Sequence, residues 1–328
     1  MVNNRPQGFT LIELLISLGI VGLFLSLILA GVQKVRSASE RVACQNHFKQ
    51  MGIALHSFHD VYGRLPHGAP SSNIIAETLK EPERLVSWRV ILLPYLDNEA
   101  LWMVTKQAMA THPNPNDNPP HLGVSTVVKP FVCPSDGRIQ RPMINMDNYL
   151  CAYSSYLGVE GSGPHYIEAA SLNNRLFVSG LNKPHWGPGV MGNTNGIRFA
   201  DILDGLTHTL MVGERPPPAT LQAGQWYSRF MPRTPYSYWG LSYGPDESLY
   251  AMDDSPFIID FKEGCMDPCR FGPGRLDNAC DRWHFWSFHP GGANFLFADG
   301  SVKFFDYSAR DILPNLATRS GGEVIEMP

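Results

Sequence analysis

Gly8-Phe9-Thr10-Leu11-Ile12-Glu13-Leu14-Leu15-Ile16-Ser17-Leu18-Gly19-Ile20-Val21-Gly22-Leu23-Phe24-Leu25-Ser26-Leu27-Ile28-Leu29-Ala30-Gly31-Val32 is the stretch on which the fold turns. Past Gly8 it is apolar except for Thr10, Glu13, Ser17 and Ser26. A helix of that length, rising about 1.5 Å per residue, crosses a hydrocarbon layer about 30 Å thick. The chain is therefore bound for a membrane, with one span over 9–32.

Two features set this span apart from an ordinary anchor. Glu13 is an ionisable group inside an apolar helix, and such a group is costly unless protonated or paired. Met1 to Gly8 is short and polar, carries a single cation in Arg5, and stops at a glycine directly before Phe9. A secretory signal places its cleavage site after the apolar core. Here the candidate site lies before it, so cutting leaves the anchor on the mature protein. The run Gly8, Phe9, Thr10, Leu11, Ile12, Glu13 resembles the type IV prepilin signal without departure. That resemblance implies cleavage after Gly8 by prepilin peptidase and N-methylation of Phe9. It also gives Glu13 a role as the assembly charge, satisfied by the Phe9 amine of a neighbouring subunit.

The 328 residues carry a net charge of −4, with no Lys/Arg run to attract nucleic acid. Thirty glycines and 27 prolines exceed the share of a helical domain and point to short strands joined by turns. Lys34, Arg36 and Arg41 follow the span, and a bare count of cations places that side in the cytoplasm. The prepilin-like leader implies the opposite: an inner-membrane protein with a cytoplasmic N-terminus and a periplasmic or extracellular C-terminal domain.

From Gln33 the helix continues to Tyr62, as one helix or as a second one after a hinge near Lys34, with Val35, Ala38, Val42, Phe48, Met51, Leu55, Phe58 and Tyr62 forming an apolar stripe broken at Gln45. Gly63 and Leu65-Pro66 stop it. The fold class is α+β: a long N-terminal helix, transmembrane then amphipathic, packed on a loop-rich antiparallel β-sheet domain. The segments are a leader at 1–8, the span at 9–32, an amphipathic continuation at 33–62 and a globular domain at 63–328. Within that domain Pro94 divides Ser87–Trp102 into two helical pieces. His112 to Pro120 reads as a loop. Strands are expected in Lys129–Asp136, Ser154–Val159, Thr209–Val212 and Glu323–Ile325, and a helical stretch over Asp311–Leu316. In the hairpin at 288–305, Asp299-Gly300 is a two-residue turn needing positive φ at both positions.

Six cysteines, Cys44, Cys133, Cys151, Cys265, Cys269 and Cys280, read as disulfides in an oxidising compartment, with the pairing open. Cys265, Cys269 and Cys280 are placed to staple a Gly/Pro-rich stretch. A zinc site there has only His284 to complete it. Asp201, Asp204 and Glu214 lack the spacing of a calcium loop and read as turn and capping groups. No metal or cofactor is expected. For an enzyme, His289 and Asp299 with His284, His208 and Glu214 are the available groups, but no nucleophile elbow, phosphate loop or metal-spaced His pair is present. No catalytic residue is assigned, and His289, before Pro290-Gly291-Gly292, reads as a turn cap. Trp226, Trp239, Trp283 and Trp286 read as core, with an exposed glycan platform as the alternative.

Together these segments resemble a bacterial family of unknown function that joins a prepilin leader to a His-X9-Asp-Gly signature. The likeness rests on Cys44 to His56, Tyr62-Gly63, Ser87-Trp88, Leu93 to Leu96, Cys133-Pro134-Ser135, Asp204-Gly205, Gly213-Glu214, and His289 with Asp299-Gly300. Leu206-Thr207-His208-Thr209 departs from it. The resemblance implies a bridge between Cys44 and Cys133. The expected function is a pilin- or pseudopilin-like structural subunit, whose partners are the membrane, prepilin peptidase and other pilin-like subunits of a pilus or secretion machinery. The alternative is a tethered module that binds a glycan or surface protein through the Trp226–Trp286 region.

Overall fold

The computed structural model describes residues 10–68, 86–112, 118–145, 148–162, 187–191, 196–221, 223–227, 248–250, 252–253 and 269–323. The chain divides into two compact units, 1–42 and 43–328. Their boundary falls inside one helix, α1 (Leu11–Tyr62). No proline interrupts it. It ends at Gly63, whose φ of 69° supplies the left-handed residue that commonly closes a helix.

In the first unit every large apolar side chain from Leu11 to Val32 is half or more exposed. This stretch of α1 is long and apolar enough to cross a membrane. In the second unit the last turns of α1 bury Cys44, Phe48, Met51, Ala54, Leu55 and Phe58 at spacings of three and four. The expected stripe is thus shorter than its sequence pattern. Val35 precedes Cys44 by two and a half turns, so it lies on the opposite face, and both it and Val42 are exposed. Tyr62 returns to the right face but only at the helix end, where it stacks on Phe58.

Short elements follow. The Ser87 side chain caps α2 (Trp88–Ile91) by accepting from the Arg89 amide. Pro94 sits in the first turn of a 3-10 helix, Leu93–Leu96, where its missing N–H costs nothing, and α3 (Glu99–Thr111) comes after. The region therefore makes three helical pieces where two were expected. Lys129–Phe131 is a 3-10 turn, not a strand: Pro130 sets a helical φ, and the Val132 amide bonds the Lys129 carbonyl.

After a small ribbon of β1 (Met143–Ile144) and β2 (Leu150–Cys151), the chain builds its main sheet. The order is β10 (Val302–Asp306), β9 (Gly292–Phe297), β5 (Leu210–Glu214), β3 (Tyr156–Ser162), β4 (Gly187–Pro188), with neighbours antiparallel. β6 (Ser248–Tyr250) adds to β3 in parallel, and β7 (Met252–Asp253) pairs with β8 (Cys269–Arg270) apart from it. Both faces of the sheet are covered. Tyr156, Met211, Val212 and Leu296 join the core that holds α1, whereas Leu157, Leu210, Phe295 and Phe297 join a second core with Phe271, Phe285 and α4 (Leu313–Ala317). That double burial explains why all six residues of β9 are buried and why it is apolar on both faces apart from Asn294. The expected helix over Asp311–Leu316 is split into a 3-10 turn, Tyr307–Asp311, and α4, which starts at Leu313 with Pro314 in its first turn. Of the expected strand at Glu323–Ile325, Glu323 is irregular and the rest lies outside the described residues.

The β9–β10 turn differs from the expected two-residue form. The Gly300 amide bonds the Phe297 carbonyl, the Phe297 amide bonds the Ser301 carbonyl, and positive φ occurs at Gly300 (79°) without Asp299. This is a three-residue loop with a glycine bulge, so one glycine suffices. The Asp299 carboxylate is used instead to accept the Ser301 amide.

Gly213 on β5 tests how tightly the second core is filled. A Cβ there would stand 2.6 Å from Phe295 Cε1 and 2.7 Å from Phe285 Cδ1. Gly213→Ala is expected to lower stability by about 1–3 kcal/mol through overpacking. The check is a denaturant melt; an unchanged midpoint would mean that the rings yield freely.

Candidate functional site

At the N-terminus, Gly8 and Phe9 lie outside the described residues. Glu13 sits in the first turn of α1, and its Oε2 accepts both the Thr10 amide (2.9 Å) and the Thr10 hydroxyl (2.7 Å). Both bonds fall on one oxygen. They satisfy the start of the helix and leave Oε1 for a further donor.

The second constellation is buried. Cys44 on α1 and Cys133, in the turn after the 3-10 helix, are joined by a disulfide across a separation of 89 residues. Against this bond stands His289, whose Nε2 is 3.6 Å from Cys133 Sγ and 3.3 Å from Glu214 Oε1. The His289 and Glu214 side chains are only 1% and 2% exposed. Each is positioned by its neighbours. Glu214 ends β5, where the Asn294 amide donates to its Oε2 (2.7 Å) and the Asn294 side chain to its Oε1 (3.1 Å). Gln45 on α1 donates to Asn294 Oδ1 (3.0 Å). Ser287 accepts the His289 amide and donates to the Gly292 carbonyl, closing the loop that carries the imidazole. Cys133 is pinned by its amide to the Ser155 hydroxyl.

The field of this cluster reaches its surroundings. Burial, and after it the charge of Glu214, raises the Tyr156 phenol well above its ordinary value. Tyr156 in turn lies 3.3 Å from His47 Nδ1. Burial holds the His47 imidazole below its ordinary value, opposed by a hydrogen bond with the Val132 backbone.

The other residues singled out in the sequence separate. Ala298 and Gly300 dock the hairpin on α1, while Asp299 stays within the turn: Lys49 Nζ donates to the Gly300 carbonyl (2.8 Å), and His56 Nε2 meets the Ala298 carbonyl (2.9 Å). His289, read as a turn cap, points its ring instead at sulfur and carboxylate. His284 pairs with Asp281, and His208 is exposed beside Thr207, so neither joins His289. Asp201 is engaged by Arg198, whose guanidinium and amide bring its carboxyl down to about 2. Asp204 accepts from the Gly321 and Gly322 amides. Asp201, Asp204 and Glu214 thus each have partners of their own. Cys280 is disulfide-bonded, Cys269 falls on β8, and Cys265 lies outside the described residues. Trp226, Trp283 and Trp286 are buried, and Trp239 lies outside the described residues.

The Cys44–Cys133 bridge that the resemblance implies is present, whereas nothing in the sequence placed Glu214 and His289 against it. The only signal was their shared place in the family likeness, because no two of the four residues are near in sequence.

A leader of this form on an exposed apolar helix, followed by a sheet unit, defines a prepilin-type, membrane-anchored, pilin-like protein. Residues 3–29 match the prokaryotic N-terminal methylation motif. Residues 33–311 match the family described as "Protein of unknown function (DUF1559)", and the chain belongs to that family. No curated protein and no solved structure matches the chain.

Proposed function

We propose that this chain is a structural subunit of a pilus-like or pseudopilus-like assembly, and not an enzyme. Prepilin peptidase cuts after Gly8 and the new Phe9 amine is methylated. The mature N-terminus stays on the cytoplasmic side of the inner membrane, and the sheet unit faces the periplasm or the exterior. The observation that carries this reading is Glu13, a carboxylate in the first turn of an exposed apolar helix with one oxygen left for an outside donor. A neighbouring subunit's terminal amine supplies that donor, so burial of the charge in lipid becomes tolerable only on assembly. The disulfides suit an oxidising compartment. A tethered glycan binder would need exposed aromatics, and the described tryptophans of the proposed platform are buried.

Intact-mass and N-terminal fragment spectra of the protein from cells holding the peptidase test this directly. The expected terminus is N-methylated Phe9. Recovery of the chain with Met1 to Gly8 still attached overturns the reading.

A further inference from the structure

The metal readings open to the sequence lay at other residues, whereas the structure gathers a buried cluster suited to one. A structural disulfide needs no polar neighbours, whereas burying a carboxylate beside an imidazole is costly unless something is gained from both. Here one ligand-type atom from each of Cys44, Cys133, Glu214 and His289 lies within 4.8 Å of all the others, and all four residues are buried. A tetrahedral zinc-class ion bonds sulfur at about 2.3 Å and nitrogen or oxygen at about 2.0–2.1 Å, which spaces its ligand atoms roughly 3.3–3.8 Å apart. Two of the observed separations, 3.6 Å from His289 Nε2 to Cys133 Sγ and 3.3 Å to Glu214 Oε1, already fall in that range. The carboxylate is further oriented by Asn294, itself held by Gln45, which is the outer layer expected around metal ligands.

We propose that Cys44, Cys133, His289 and Glu214 form a redox-gated site for a zinc-class divalent cation, occupied when the Cys44–Cys133 bond is reduced. A dithiol reductant delivers two electrons and two protons to the Sγ–Sγ bond and becomes a disulfide itself. The cation then displaces both thiol protons to solvent and is held by two thiolates, the imidazole and the carboxylate. Disulfide and metal are mutually exclusive: the disulfide ties α1 to the Cys133 turn alone, and the metal ties these two to the end of β5 and the loop before β9 as well. The inference does not depend on the chain being an assembly subunit.

Cobalt(II) is the probe, because tetrahedral thiolate coordination gives it intense visible bands and a sulfur-to-metal charge-transfer band. The full-length chain in detergent is reduced with excess dithiol, freed of it without oxygen, and titrated. One equivalent is expected to bind with those bands, and the oxidised chain is expected to show none. His289→Ala and Glu214→Gln should each weaken binding by roughly tenfold or more. The Cys44→Ser/Cys133→Ser chain, which keeps the other thiols, should lose the bands. Reduced wild-type chain without the bands, or bands that persist in either the His289→Ala or the double-serine chain at unchanged affinity, overturns the proposal. As a readout independent of any variant, Zn²⁺ should raise the melting temperature of the reduced wild-type chain; an unmoved melt also overturns it.

Discussion

Cys133→Ser is expected to lower the stability of the oxidised chain by about 4 kcal/mol, measured by urea unfolding of the detergent-solubilised protein with a chelator present. The size follows from the closed loop. Cys44 and Cys133 are 89 residues apart, so the bond removes much of the freedom of the unfolded chain. Cys44→Ser should cost about the same, and the double variant no more than either single one, since all three break one bond. A loss below about 1 kcal/mol would mean that the unfolded chain is already constrained, or that the bond strains the native one.

Glu13→Ala is expected to leave membrane insertion and cleavage after Gly8 intact while reducing incorporation into assemblies by about 100-fold or more. Alanine lengthens the apolar run, so the anchor is not weakened. What it removes is the proposed counter-charge for a neighbour's terminal amine. Stripping one partner from a buried pair costs about 3–5 kcal/mol, and each 1.4 kcal/mol is a factor of ten. Cross-linking in cells, followed by comparison of monomer and higher species, reads the result. Normal ladders from the alanine chain would remove Glu13 from the account. Glu13→Gln sharpens the experiment: it keeps a side chain able to bond Thr10 but carries no charge, and should fail like alanine.

Much of the architecture is legible in the sequence. The membrane segment reads from length and apolarity, since lipid demands a continuous helix whatever follows it. The helix end at Gly63 and the strands β3, β5, β9 and β10 lie close to where their local chemistry put them. Local reading failed where several residues compete for one role. Lys129–Phe131 has strand-prone neighbours, but Pro130 bends it into a turn. Asp299 looked like a turn residue with positive φ, yet the bulge asks that only of Gly300. Val35 and Val42 matched the apolar stripe by type and missed it by phase.

By itself, the sequence determined that this chain has a prepilin-type leader ahead of its apolar helix, a segment able to span a membrane and an α+β unit, because those properties depend on residues adjacent along the chain. The Cys44–Cys133 bridge was already implied by the family resemblance; the tertiary structure alone decided that Glu214 and His289 meet it. Their convergence needs α1 laid on the sheet and β5 paired with β9, contacts between segments far apart in sequence that no spacing or periodicity encodes.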